Sequence, residues 1–245
     1  MKIIDFHIHN NFKNGEIPCY KIVEIMQKND VEKAITSNND CLHSAAYIPE
    51  GNDKLAKFVS AYPDNLYAYA VVNPYDGNKA VFEFRRCIEK LGMKGLKLHP
   101  WLQGFSCSLD IVRPIVEESI ILNVPIIFHC GTPPYSSPLQ IANLACLYPE
   151  SKIILGHSGL NDLWKNAIDA GKKHKNVTLC LCGPPTLGLE RIIKEVPTSQ
   201  LVFGSDMIND DENRLRHFIN KMKVLNVPEN IKKNIFWDNA LNLLI

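Results

Sequence analysis

Five side chains able to bind a metal ion close short apolar runs: His7 and His9 in IIDFHIH, His129 in VPIIFH, His157 in KIILGH and Asp206 in LVFGSD. His7 and His9 are two residues apart, so on a strand they share a face, about 6.6 Å from one another at ~3.3 Å per residue. Imidazoles so placed can converge on one ion at a Zn–N distance of about 2.0 to 2.1 Å. An isolated H-x-H on an apolar strand is better explained by two hydrogen-bonded core histidines. The other strand ends reverse that balance, because burying so many imidazoles and a carboxylate without an ion leaves unpaired polar groups that cost kilocalories each. Lys97 and His99, two apart in GLKLH, share a further face at the end of another apolar run.

These residues meet only if their strands converge. Short β-branched runs alternate with amphipathic stretches along the whole chain, the pattern of repeated β-α units around a parallel sheet. Strands are expected near Ile3–His9, Val31–Ser37, Leu66–Val72, Gly95–His99, Val124–His129, Lys152–His157, Val177–Leu181 and Leu201–Asp206. Helices are expected over Tyr20–Lys28, Asn78–Leu91, Leu139–Leu147, Asn161–Lys173 and Asp211–Leu225, with Pro114 opening the helix before the fifth strand. The length of 245 residues is close to the roughly 250 typical of an eight-stranded barrel. The expected fold is therefore α/β: one domain over residues 1–245, a single-domain (β/α)8 TIM barrel, whose strand ends carry the catalytic residues. An open doubly wound sheet is the alternative, but the chain has neither GxGxxG nor GxxxxGK[ST] to support a nucleotide site.

The polar stretch Asn38–Asn52, with His43 and Tyr47, reads as irregular and long enough for a lid. Paired prolines in GTPPYSSP and CGPPTLG would stiffen pocket walls, which Tyr135 and Trp101 could line. His174 and His217 fall in charged helical stretches and read as solvated. Lys and Arg number 27 against 26 Asp and Glu, with no basic stripe, which argues against nucleic acid. No run approaches the ~20 apolar residues of a membrane span. The opening MKIIDFHIH reads as a strand rather than an export signal, so a cytoplasmic protein with reduced cysteines is expected. Cys180 and Cys182 lack the second ligand pair that a structural zinc site needs.

Together these motifs resemble the amidohydrolase superfamily, in particular its branch of metal-dependent hydrolases and non-oxidative decarboxylases related to aminocarboxymuconate-semialdehyde decarboxylase. IIDFHIHN is similar to the branch's first-strand signature, KGLKLHPWLQGF to its fourth-strand motif, VPIIFHCG and IILGHSG to its fifth- and sixth-strand histidines, FGSDM to its eighth-strand aspartate and FWDNALNLL to its terminal helix. The resemblance implies His7, His9, His129 and Asp206 as ligands of one divalent ion, usually Zn2+. His157 and Asp206 would be catalytic, and Lys97 and His99 would bind substrate. Carboxylation of Lys97 would bring in a second ion with His157 as a ligand, while the plain reading of Lys97 is a cation that pairs with a substrate carboxylate or snorkels to solvent.

The first functional expectation is a metal-dependent hydrolase of a small carbonyl-containing substrate (amide, lactone or ester) that uses a metal-activated water. The alternative is a metal-dependent non-oxidative decarboxylase. A TatD-like nuclease ranks lower, since GLKLHP stands where that family has a glutamate, and a barrel that binds metal without catalysis is the remaining class. A small-molecule substrate is expected and oligomeric state is left open, a homo-oligomer included.

Overall fold

The computed structural model describes residues 1–13 and 15–244. Its strands are β1 (Ile3–Asn10), β2 (Val31–Asn38), β3 (Leu66–Val71), β4 (Leu96–Leu98), β5 (Ile126–His129), β6 (Ile153–Gly156), β7 (Val177–Cys180), β8 (Leu201–Val202) and β9 (Met207–Ile208). Every neighbouring pair is parallel, in the order β8-β7-β6-β5-β4-β3-β2-β1-β9. Helices connect the successive strands up to β8, so the TIM barrel expected from the sequence is the fold.

The eighth strand departs from expectation. Leu201–Asp206 is not one strand; β8 pairs with β7, the chain turns through Gly204–Asp206, and β9 then pairs with β1. The ring closes across this break, because Phe6 N donates to Phe203 O at 3.0 Å and Asp206 N donates to His7 O at 2.8 Å. Asp5 clamps it: Oδ1 accepts from His7 N (3.2 Å) and Ser205 N (3.0 Å), and Oδ2 accepts from the Ser205 hydroxyl at 2.5 Å.

Strand alternation sorts the core. Ile35, Tyr69, Ile127, Ile154 and Val202 fill the lumen with Ile4 and Phe6, and Ala240 of the C-terminal helical segment packs against them. Their sequence neighbours Ala34, Ala68, Ile126, Phe128, Ile153 and Leu155 belong to a second core beneath the helices. In β1 the pairing shifts register between Asp5 and Ile8. Below the shift Ile4 and Phe6 face the lumen; above it Ile8 packs outward and His7 and His9 take the inner face.

The stretch Asn38–Asn52 is not an irregular lid. It forms helices over Asn39–His43 and Ile48–Val59 joined by a 3-10 turn at Ala45–Tyr47, and His43 is exposed. Its polar residues are structural: Asn38 caps the first helix through Asp40 N, and the buried Asn52 both donates to Val71 O and accepts from Val71 N. Asp40 Oδ2 accepts from Phe12 N and Lys13 N and so fixes the loop after β1. The helix over Thr186–Glu195 also went unread in the sequence.

Ser205→Ala removes the hydroxyl that donates to Asp5 and accepts from Met207 N at 3.0 Å. Leaving those buried groups unpaired is expected to cost about 1–3 kcal/mol. A lower urea midpoint with an unchanged m-value would show it; an unchanged midpoint would refute the clamp.

Candidate active site

The C-terminal ends of the strands bring the site residues read from the sequence together at one opening, a cavity of about 330 Å³ lined by His9, His99, His129, His157, Asp206 and Arg214 among others, with His7 and Lys97 buried behind its wall. A larger cavity at the opposite end, lined by Lys2, Asp30, Lys33 and Asp64, holds no histidine, and barrel catalysis belongs to the C-terminal face. Inside the site, His7 Nε2 is 3.1 Å from His9 Nε2 and 3.7 Å from Asp206 Oδ1. His9 Nε2 is 3.2 Å from the same oxygen and His157 Nε2 is 3.9 Å from it.

His129 stacks on His99 with ring centroids 3.8 Å apart and 11° between planes, and its buried Nε2 has no hydrogen-bond partner. It shares the cavity but stands outside the tight group formed by His7, His9 and Asp206. Lys97 is fully buried with Nζ 2.8 Å from His7 Nε2, so the reading in which it snorkels to solvent is overturned. His157 and Asp206 lie just past their strands with φ of 75° and 56°, left-handed conformations that non-glycine residues adopt at a cost.

Burial, reinforced by the Lys97 charge, holds His7 well below the usual imidazole range and His99 down at about 2. Burial likewise lowers His9, against the pull of Asp206, and lowers His129 together with the charge of His157. Lys97 is brought down to about 8 by burial. Burial alone would raise Asp206, but the His157 charge and the hydrogen bond to His9 outweigh it and hold the carboxyl well below the ordinary range. The centre is thus neutral imidazole lone pairs crowded around an ionised carboxylate, a donor set that fits a divalent cation.

Two participants were missed in the sequence. Arg214, in the first turn of the helix Glu212–Lys223, pairs with Asp206 Oδ2, and its Nε is buried without a partner. Its position on the helix that follows the last strand, whose N-terminus faces the site in a barrel, was the available signal. Cys182 lies 3.4 Å from Nδ1 of both His7 and His157. Trp101 is exposed beside His99, at 6.3 Å between ring centroids, and neither it nor Tyr135 lines the cavity.

The model of the family described as Amidohydrolase matches residues 42–244. The chain belongs to the amidohydrolase family. That match begins after β1, and solved structures extend the likeness over the whole barrel. A 2,6-dihydroxybenzoate decarboxylase from Rhizobium superposes with a TM-score of 0.81 at 18% identity, covering 100% of this chain and 98% of the other. A dihydroxybenzoic acid decarboxylase from Polaromonas, with bound manganese and 2-nitroresorcinol, gives 0.79 at 18% identity over 99% and 96%. A 4-oxalomesaconate hydratase from Rhodopseudomonas palustris gives 0.72 at 16% identity over 99% and 95%. No curated protein matches the sequence. Among the described residues no helix is long and apolar enough to cross a membrane.

A pH dependence follows from the buried imidazoles. His7, His9, His99 and His129 are all lowered from 6.5, so the unfolded chain takes up their protons first and stability falls as pH drops below about 6.5. Asp5, raised by burial from 3.8 to about 7, acts with opposite sign and loses stability as pH rises through that window. Four imidazoles outweigh one carboxyl. The metal-free protein should therefore show a lower urea midpoint at about pH 5.5 than at about 7.5, and an equal or higher one would contradict the burial of neutral histidines.

Proposed function

We propose that the chain is a metal-dependent decarboxylase of a small carboxylic acid. The observation that carries this reading is the pair of cations at the imidazole–carboxylate cluster: Arg214 contacts Asp206, and Lys97 contacts His7. Such a pocket favours an anionic substrate over a neutral amide or lactone. The decarboxylases named among the similar structures support the same choice. Decarboxylation therefore takes precedence over the hydrolysis expected first. Hydrolysis of a small carbonyl compound is the second reading, favoured by the family's description.

In this reading His7, His9 and Asp206 hold one divalent ion, and the unpartnered Nε2 of His129 is the fourth ligand. The bound ion would act as a Lewis acid on the substrate's oxygens, and the mixed histidine and carboxylate set suits zinc and manganese alike. Arg214, on the cavity wall, is the cation for the substrate carboxylate, while Leu160, Ile208 and Phe218 offer an apolar wall to its carbon skeleton. When the carbon–carbon bond breaks and CO2 leaves, the electron pair remains on carbon and takes up a proton. His157 Nε2, beside Asp206 Oδ1, is the group placed to relay it: its lone pair takes up a proton from solvent and then delivers it to the carbon. His99, on the cavity wall, keeps the role of a substrate contact, while Lys97, fully buried against His7, would act on the substrate through its charge and not by contact.

Two measurements test the proposal. Elemental analysis of protein purified without chelators should find about one divalent ion per chain, lost in the His7→Ala/His9→Ala variant; metal-free wild type, or equal retention by the variant, would remove the ligand set. The metal-loaded enzyme, offered small hydroxyaromatic acids and lactones, should release CO2 from an acid. Cleaved lactone with no CO2 from any acid would reverse the order of the two readings.

A further inference from the structure

His7 and His157 are approached from behind by one sulfur. Cys182 Sγ lies 3.4 Å from Nδ1 of each ring, and the side chain is buried with 2% of its surface exposed. Cys180, two residues earlier at the end of β7, places its own sulfur 3.8 Å from Cys182 Sγ and 4.0 Å from His7 Nδ1.

A neutral imidazole carries one N–H, and which nitrogen bears it is set by the partners of both. His7 Nε2 faces the Lys97 ammonium at 2.8 Å, and an ammonium only donates. His7 Nε2 therefore accepts, and its proton is on Nδ1, aimed at Cys182. His157 Nε2 stands 3.9 Å from Asp206 Oδ1, beyond hydrogen-bond range, so the contact with Cys182 is the one that orients this ring. His9 differs: its Nε2 faces Asp206 Oδ1 at 3.2 Å, and its Nδ1 lies 2.8 Å from the Ser37 hydroxyl, which can donate as well as accept. Sulfur has lone pairs for two N–H groups, and the Cys182 thiol hydrogen can turn to Cys180 Sγ.

We propose that Cys182 is a positioning residue whose sulfur accepts the Nδ1–H of both His7 and His157, fixing the tautomer that presents both Nε2 lone pairs to the cavity. For metal affinity this rests on the ligand role proposed for His7; the tautomer itself does not. An outer acceptor for a ligating histidine orients the ring and raises its basicity, and its loss typically lowers metal affinity about 10–100-fold.

The test compares wild type with Cys182→Ala, Cys182→Val and Cys182→Ser. Long-range proton–nitrogen NMR of the metal-free proteins should show His7 and His157 as Nδ1–H tautomers in wild type. Alanine and valine should introduce the Nε2–H form, and serine, which keeps an acceptor, should restore wild-type spectra. Chelator competition should find manganese or zinc bound about 10–100-fold more weakly by alanine and valine, with serine close to wild type. Unchanged tautomers in the alanine variant would overturn the proposal. So would serine and valine equally impaired, since volume rather than an acceptor would then matter. Sulfur-to-metal charge-transfer absorption in the cobalt-loaded wild type would overturn it too, making the sulfur a ligand. The NMR arm uses neither ion nor substrate, so a failure of the decarboxylase reading leaves it separately decided.

Discussion

The barrel must close through a strand that is interrupted where the carboxylate of the candidate site stands, and Asp5 reconciles the two demands. Its carboxyl accepts from two backbone N–H groups and the Ser205 hydroxyl, and thereby ties the first strand to the turn that replaces the middle of the eighth. With that turn held, Asp206 N donates to His7 O and the Asp206 side chain comes round to His7 and His9. The register shift in β1 occurs at the same place, so the residues that close the ring also turn the histidines inward. Closure and site assembly are one event in this structure.

Asp5 and Asp206 are close in space and are shifted in opposite directions. Asp5 is buried among neutral donors, and burial pushes it up to about 7. Asp206 is buried too, but His157, His9, His7 and Arg214 gather around it, and it stays ionised. Carboxyl groups whose environments drive them apart have separate work: one is a structural clamp, the other the negative charge at the centre of the site. The imidazoles complete the pattern, since a neutral ring is a ligand and a protonated one is not.

Much of this was legible in the sequence because the strands are apolar on both faces, so a polar side chain at a strand end stands out against its run. Lys97, His99 and His129 fall on inner positions as spacing alone required, while spacing gave His7 and His9 a shared face and the register shift in β1 turned that face inward. What escaped depended on three-dimensional neighbours. The break in the eighth strand follows from hydrogen bonds between residues 200 positions apart in the chain. The helix Ile48–Val59 was obscured by the poor helix formers Gly51, Asn52 and Asp53, of which Asn52 bonds to β3, Gly51 leaves room for Cys41 Sγ and Asp53 accepts from Arg86. Cys182 looked like half of an absent zinc site because its partners are histidines on two other strands, and no spacing rule joins them.

His7 is closely confined, and the glycines of LGH and FGSD account for it. A Cβ on Gly156 would stand 3.3 Å from His7 Cε1, and one on Gly204 would stand 3.0 Å from His7 Cβ and 2.5 Å from Cys180 Sγ. Each glycine precedes a site residue with positive φ, His157 directly and Asp206 after Ser205. The missing side chains make room for the His7 ring, and the strained residues that follow bring their own side chains round to it. A left-handed non-glycine residue costs of order 1–3 kcal/mol, so two of them persist only where the surroundings over-determine them. Here the surroundings are the rigid neighbours of His7: glycine backbone, Lys97 at Nε2 and Cys182 at Nδ1. A ring so confined cannot adapt to an incoming ion, so in the proposed ligand set any adjustment would fall on the side chain of Asp206, 14% exposed on the cavity wall.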